Sequence, residues 1–367
     1  VESNAHLVIL GLVFAIGLVM GAVTSKTNFC TMGAVSDWVN MGSTGRLRAW
    51  LLAIAVAMVG VSALDFAGMR LGNDTFPPYR TPGFAWLRYI LGGFMFGVGM
   101  TLASGCGNKT VVRLGQGNLK SLLVLVVAAI GAYLMLWTNF YAAAFDSWIA
   151  PTTVDLGKRG LAGQALGDLF GAPGANAAIG LAVGLALAAF AFSSRDFRTS
   201  FDNVLGGLVV GLSVVAGWAI TAGRLGEAWK EQALMAATPP SRVATQSYTF
   251  ISPMGDLVRY LESPRHLEYI NFGVAALLGV LLGSLAWALV TRSLRIEWFR
   301  TAPDAANHVA GGALIGVGGV LAMGCTIGQG VTGVSTLALG SVLALVSIVA
   351  GAAATMKYQY WRMMREG

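Results

Sequence analysis

Charge-poor apolar runs, parted by stretches rich in glycine, proline and charge, divide the sequence at 6–24, 47–68, 86–104, 119–142, 175–193, 203–222, 271–291, 308–323 and 337–356. A run of about 20 apolar residues, rising ~1.5 Å per residue in a helix, matches a hydrocarbon core of ~30 Å. The pattern therefore predicts an all-α polytopic membrane protein with about nine transmembrane helices. The eighth run reads as short for a full crossing.

The apolar pattern fails in a similar way after the first, third and eighth runs. The three polar, glycine-rich breaks are Lys26 to Asp37, Ser104 to Gly117 and Gly324 to Gly333, and each holds one cysteine: Cys30, Cys106 and Cys325. Non-helical backbone at membrane depth is tolerated only where it is buried in protein or lines a watery cavity, so the breaks predict short re-entrant helices. Two of them are copies. Aligning Gly92 with Gly311 brings Gly97 onto Gly316, Gly99 onto Gly318, Gly105 onto Gly324 and Cys106 onto Cys325 at one constant offset. With the span 175–193 intervening, the two halves, approximately 6–142 and 203–356, enter the membrane in opposite senses. The expected architecture is a single transmembrane domain over 1–367 with an inverted pseudo-twofold repeat, in which the two breaks approach each other from opposite faces. Cys30 has no matching cysteine in the second half, where its counterpart is expected near Trp218 to Gly223.

Composition strengthens the membrane reading. Hydrophobic residues make up 56% and charged residues 11%, and the mean hydropathy is +0.68, values too apolar for a soluble globular chain. The net charge of +7 suits loops that face anionic lipid and carries no implication of nucleic acid. Lys26, Arg46, Arg48, Lys109, Arg113 and Lys120 fall on the more basic face together with the basic C-terminal run, which places the C-terminus in the cytoplasm and the N-terminus outside. No cleavable signal peptide is evident, because no basic region precedes the first apolar run. The connections 143–173 and 223–270 read as external loops with interfacial helices, anchored by Trp148 and Trp229. Asp65 and the scattered His6, His266 and His308 read as interfacial or capping residues.

The distant cysteines, lacking any C-x-x-C, suggest neither a disulfide framework nor a zinc site, and no metal or cofactor is expected. Nothing resembles a Walker loop, a Ser-His-Asp set or an intramembrane carboxylate pair, so ATPase and hydrolase readings lack support. The breaks themselves favour an anion: helices that end or restart inside the protein aim free N–H groups and positive dipole ends at a ligand. A thiol is a weak donor on a polarizable sulfur, suited to a soft acceptor more than to a hard oxyanion. The substrate pathway is therefore expected at Cys30, Cys106 and Cys325, supported by Lys26, Asn28, Gly105, Gly107, Asn108, Lys109, Arg113, Gln116, Gly324, Thr326 and Gln329. Three alternatives stay open at this point. The cysteines could be small packing residues in a channel for another small anion, or the protein could be a membrane thiol enzyme, a sulfurtransferase or an oxidoreductase.

The segments GVGMTLASGCGNKT, GVGGVLAMGCTIGQG and NFCTMGAVSD resemble the YeeE/YedE family of bacterial inner-membrane sulfur transporters. The resemblance implies uptake of thiosulfate without an enzymatic step, an hourglass of nine spans plus short re-entrant helices, and a central relay in which Cys30, Cys106 and Cys325 pass the substrate by S–H to S hydrogen bonds. It also implies a small cytoplasmic sulfurtransferase of the TusA type as partner. The family's second motif often reads Gly-Cys-Thr-Ser-Gly-His-Gly, whereas this chain has Gln329 at the histidine position. That departure keeps the thiol but removes any role for a histidine there, and it leaves room for another reduced sulfur or a selenium species.

Overall fold

The computed structural model describes residues 5–69, 71, 74–159, 163–169 and 175–366. Its first half runs through α1 (Ala5–Thr27), the half-length α2 (Thr31–Met41), α3 (Gly45–Phe66), α4 (Trp86–Leu102), the short α5 (Gly107–Gly115) and α6 (Leu119–Trp137). The chain continues with α7 (Asn176–Phe192), α8 (Phe201–Ala222), the shorter α9 (Arg224–Met235) and α10 (Ile251–Glu262), then α11 (Phe272–Val290), α12 (Ala302–Leu321) and α13 (Leu339–Glu366). Every predicted apolar run falls on a helix. Among the described residues, 7 helical segments are long and apolar enough to cross a membrane, and Asn176–Phe192 is a shorter apolar helix. This is an all-α polytopic membrane protein.

Polar residues set several helix starts. Asn118 caps α6 by accepting from the Ser121 N–H at 3.1 Å, and Asn271 caps α11 by accepting from Val274 N–H at 3.1 Å. The eighth helix proves longer than its apolar run. Thr301 caps it with Pro303 in the first turn, so it begins at Ala302 and spans 20 residues.

Glycine decides which helices touch. In α4 and α12 the repeated glycines face one another: a methyl on Gly99 would sit 2.8 Å from the Gly311 carbonyl oxygen, and one on Gly311 would sit 2.7 Å from the Gly99 carbonyl oxygen. The two backbones are thus in direct contact, as small residues allow in membranes. Gly17 of α1 meets Gly279 of α11 in the same manner. Beyond these, α3 packs on α8 and α7, α4 on α13, and α6 on α12. Gly93 lies against Ala344 and Gly97 against Ile348, so α13 runs parallel to α4 and both end toward the same face. Leu12, Val126, Leu185 and Val346 remain exposed on the outside of the bundle, as lipid contact requires.

Two tiny ribbons tie the long connections at the opposite face. Strand β1 (Thr75–Phe76) pairs in parallel with the later Thr245–Gln246, and β2 (Gly83–Phe84) pairs antiparallel with β3 (Val154–Asp155); the 245–246 strand is β4. Two expectations need correction here. Trp229 is no interfacial anchor: it is fully buried, with its indole N–H donating to His6 Nδ1 at 3.0 Å, while Trp148 is 43% exposed. The connection 223–270 is not purely external either, because Ser247, Tyr248, Phe250 and Ile251 are buried in the core. Its polar groups find partners there, with Ser247 Oγ donating to the Val214 carbonyl at 2.7 Å and Gln246 N–H donating to Thr221 Oγ1 at 3.0 Å. Part of the connection 143–173 lies outside the described residues.

Candidate functional site

Cys106 and Cys325 are placed by the same backbone device, and Cys30 by a related one. Helix α4 ends in a Schellman turn, in which Gly105 N–H donates to Met100 O at 2.9 Å and Ser104 N–H to Thr101 O at 3.2 Å. Helix α12 ends identically, with Gly324 N–H to Gly319 O at 2.7 Å and Met323 N–H to Val320 O at 2.9 Å. The left-handed residue of such a turn is usually glycine, yet here it is Ser104 (φ 56°) and Met323 (φ 61°). After α1 the left-handed residue is Asn28 (φ 51°). In all three places the cysteine comes two residues later and stands at the start of the next helical segment. Cys30 is the N-cap of α2, where Gly33 N–H donates to its sulfur at 3.4 Å, and Gly328 N–H donates to Cys325 Sγ at 3.3 Å. Cys106 is the N-cap of α5. A sulfur that accepts from the backbone in this way keeps its own S–H free to donate elsewhere.

The breaks converge. A methyl on Gly107 would lie 3.9 Å from Cys325 Cβ and 3.0 Å from Ile251 Cδ1. The side chains of Cys30 and Cys106 are neighbours, and Thr326 lies beside Cys106. Exposure falls along the series from 8% at Cys30 to 2% at Cys106 and 0% at Cys325. Four buried polar atoms in this region, Asn108 Oδ1, Thr249 Oγ1, Thr326 Oγ1 and Gln329 Oε1, have no partner among the described residues. Leaving such a group unpaired costs about 1–3 kcal/mol, so a cluster of them marks a surface fitted to something polar that passes or binds.

One end of the series is open. Cys30 lines a cavity of about 410 Å³ with Asn28, Arg46 and Lys109, and it adjoins a second of about 570 Å³ that shares Asn28 and Lys109 and adds Arg113 and Arg295. The vestibule is cationic. Glu297 lines the second cavity, but Asn118 Nδ2 holds it at 2.5 Å. Asn28 Oδ1 accepts from Lys109 Nζ at 3.2 Å, and the Ser104 carbonyl accepts from Arg113 Nη1 at 2.9 Å.

The other end is shut. Tyr79 follows β1, and its hydroxyl donates to the Gly328 carbonyl at 2.8 Å while its ring meets Trp218 edge-on. Thr332 Oγ1 donates to the Tyr248 carbonyl at 2.7 Å. Tyr79, Trp218, Tyr248 and Phe250 are all buried, which leaves no opening to Cys325 from that side among the described residues.

The structure brings together Cys30, Cys106, Cys325, Asn28, Gly105, Gly107, Asn108, Lys109, Gly324, Thr326 and Gln329. Arg113 and Gln116 stand farther out in the vestibule, where Gln116 Nε2 donates to Ser25 Oγ at 2.8 Å. Lys26 turns away, lying 3.9 Å from Asp202 and over the Phe201 ring. Sequence reasoning missed Arg46, Tyr79, Thr249 and Ile251. Arg46 was visible only as one basic residue among many, and the others sit in connections that read as loops.

A family model described as sulphur transport matches residues 26–354. The chain is 24% identical to the thiosulfate transporter TsuA of Escherichia coli K12, over 91% of this chain and 90% of that protein. It is also 24% identical to the thiosulfate transporter TsuA of Spirochaeta thermophila, over 92% of this chain and 94% of that protein. A shorter match, 26% identical over 38% of this chain and 33% of the relative, is to the probable transporter YedE of Escherichia coli K12.

Proposed function

The chain belongs to the sulphur-transport family, and from that premise we propose that it carries thiosulfate, or a closely related reduced sulfur anion, across the bacterial inner membrane. The observation that carries this reading is the series of three thiols, each set at the start of a helical segment that restarts inside the bundle, with exposure falling from Cys30 to Cys325. At such a position the positive end of a helix stabilises an anion, while the thiol offers its S–H to a soft sulfur acceptor. The substrate is handed between thiols by hydrogen bonds, with no covalent step, and the unpaired oxygens of Asn108, Thr326 and Gln329 line the way.

The relatives named for thiosulfate support the substrate class. The packing pairs support two inverted halves, 6–142 and 203–356: α1 on α11 is mirrored by α8 on α3, and α4 on α13 by α12 on α6. In that scheme α2 corresponds to α10, so the counterpart of Cys30 is the N-cap Phe250. The basic vestibule and the basic end of α13 share one face, which supports a cytoplasmic vestibule and C-terminus and an external N-terminus. A TusA-like sulfurtransferase would receive the product there.

The test is uptake of labelled thiosulfate into proteoliposomes, with sulfate and selenite as competitors. Cys106→Ala abolishes uptake on this reading, and full uptake by that variant at normal expression would sink it.

A further inference from the structure

Two cations beside Cys30 are arranged for a task that a thiol cannot perform. Asp37, near the end of α2, is only 6% exposed and accepts from Arg46 through both oxygens, one from Nε and one from Nη2. This two-point grip fixes the guanidinium plane and leaves Nη1 without a hydrogen-bond partner among the described residues. Nη1 projects over Gly33, where a methyl group would collide with it. Gly33 is also the residue whose N–H donates to Cys30 Sγ. Lys109 reaches the same place from α5, with Asn28 Oδ1 as its hydrogen-bond partner. Both cations and the Cys30 thiol line the cavity of about 410 Å³, and among the described residues no carboxylate lines it.

We propose that Arg46 and Lys109 form an anion clamp that holds the oxygen-bearing end of the substrate while Cys30 faces its terminal sulfur. The inference rests on the sulfur-anion reading above and adds a specificity rule to it. Thiols select for soft sulfur, and the clamp selects for an oxyanion head at a fixed distance from that sulfur. A species with sulfur but no charged oxygens engages only half of the site. Asp37 acts as a positioning residue, because it touches Arg46 and not the substrate.

The test is titration of the full-length protein in detergent with sodium thiosulfate and, separately, with sodium sulfate, which has the oxygens but no soft sulfur. Lys109→Gln and the double variant Asp37→Asn/Arg46→Gln are each expected to weaken both ligands by about tenfold or more, the scale of one charge-assisted hydrogen bond. Lys109→Arg is expected to retain most of the affinity. The double variant avoids a buried carboxylate without a counter-ion, and should it fail to fold, Lys109→Gln decides the matter. Cys30→Ser is expected to weaken thiosulfate and leave sulfate unchanged. Wild-type affinity for both ligands in folded Lys109→Gln overturns the clamp. Loss of both ligands in the clamp variants, with thiosulfate binding untouched in Cys30→Ser, upholds the clamp and refutes the thiol reading instead.

Discussion

Replacing Gly107 with alanine separates transport from folding at the point where the two breaks meet. The added methyl would lie 3.0 Å from Ile251 Cδ1, 3.7 Å from Met254 Cε and 3.9 Å from Cys325 Cβ. Carbon atoms rest at about 3.5–4.0 Å, so only Ile251 must yield, and the atom concerned is the free end of a flexible side chain. Overpacking typically costs about 1–3 kcal/mol, whereas Gly→Ala at a compatible helical position returns about 0.4–1 kcal/mol through the unfolded chain. The net change in stability is expected near ~1 kcal/mol. Passage is another matter, since on the proposed relay a sulfur atom moves between Cys106 and Cys325, and the methyl lies beside that step. Uptake by proteoliposomes is expected to fall at least about tenfold, ~1.4 kcal/mol in barrier height, with thermal unfolding in detergent barely altered. Gly311→Ala is the contrasting control: its methyl would sit 2.7 Å from the Ala103 nitrogen and the Gly99 carbonyl oxygen, backbone atoms that cannot swing aside, so the protein itself is expected to destabilise. Full uptake by a well-folded Gly107→Ala protein would show that the substrate does not pass between these breaks.

Two further predictions concern the closed side. Asp256 is 1% exposed and accepts from Arg242 Nε at 2.6 Å and Nη2 at 2.8 Å, from Trp137 Nε1 at 3.0 Å and from Asn271 Nδ2 at 2.9 Å. Asp256→Ala is expected to cost about 3–5 kcal/mol in denaturant unfolding, because it strands a largely buried guanidinium; a loss below ~1 kcal/mol would count against that account. Tyr79→Phe removes the bond to the Gly328 carbonyl while keeping the ring. In a protein whose only cysteine is Cys325, this change is expected to speed reaction with a water-soluble maleimide severalfold, and an unchanged rate would show that Tyr79 does not close that side.

The helices were legible because burial in lipid leaves a run of apolar residues whatever the neighbours are. The glycines of α4 and α12 were legible as a repeat, but their reason was not: reciprocal contact between Gly99 and Gly311 is a property of two segments at once. Cys106 and Cys325 could be picked out because both copies keep the thiol where the helix gives way. Asn28 could be picked out only as a polar residue close to Cys30; its left-handed backbone leaves no mark in the sequence. The stretch from Thr245 to Asp256 misled for a physical cause. Its mixture of hydroxyls, amides and aromatics is typical of an exposed loop, and only partners on other elements, such as Thr221, Val214 and Arg242, make it fit to be buried. Arg46 and Asp37 form their clasp across the turn between two helices, and no periodicity in the chain announces it.

The turn that precedes each cysteine has a bearing on how such a protein can diverge. Before Cys106 and Cys325 its hydrogen bonds run from main chain to main chain, so the position of those sulfurs is inherited from backbone geometry and owes little to the identity of the flanking side chains. The residues around these thiols can therefore change without displacing the thiols themselves. If the proposed relay holds, new cargo preferences can arise by repainting the walls of a corridor whose stepping stones stay put.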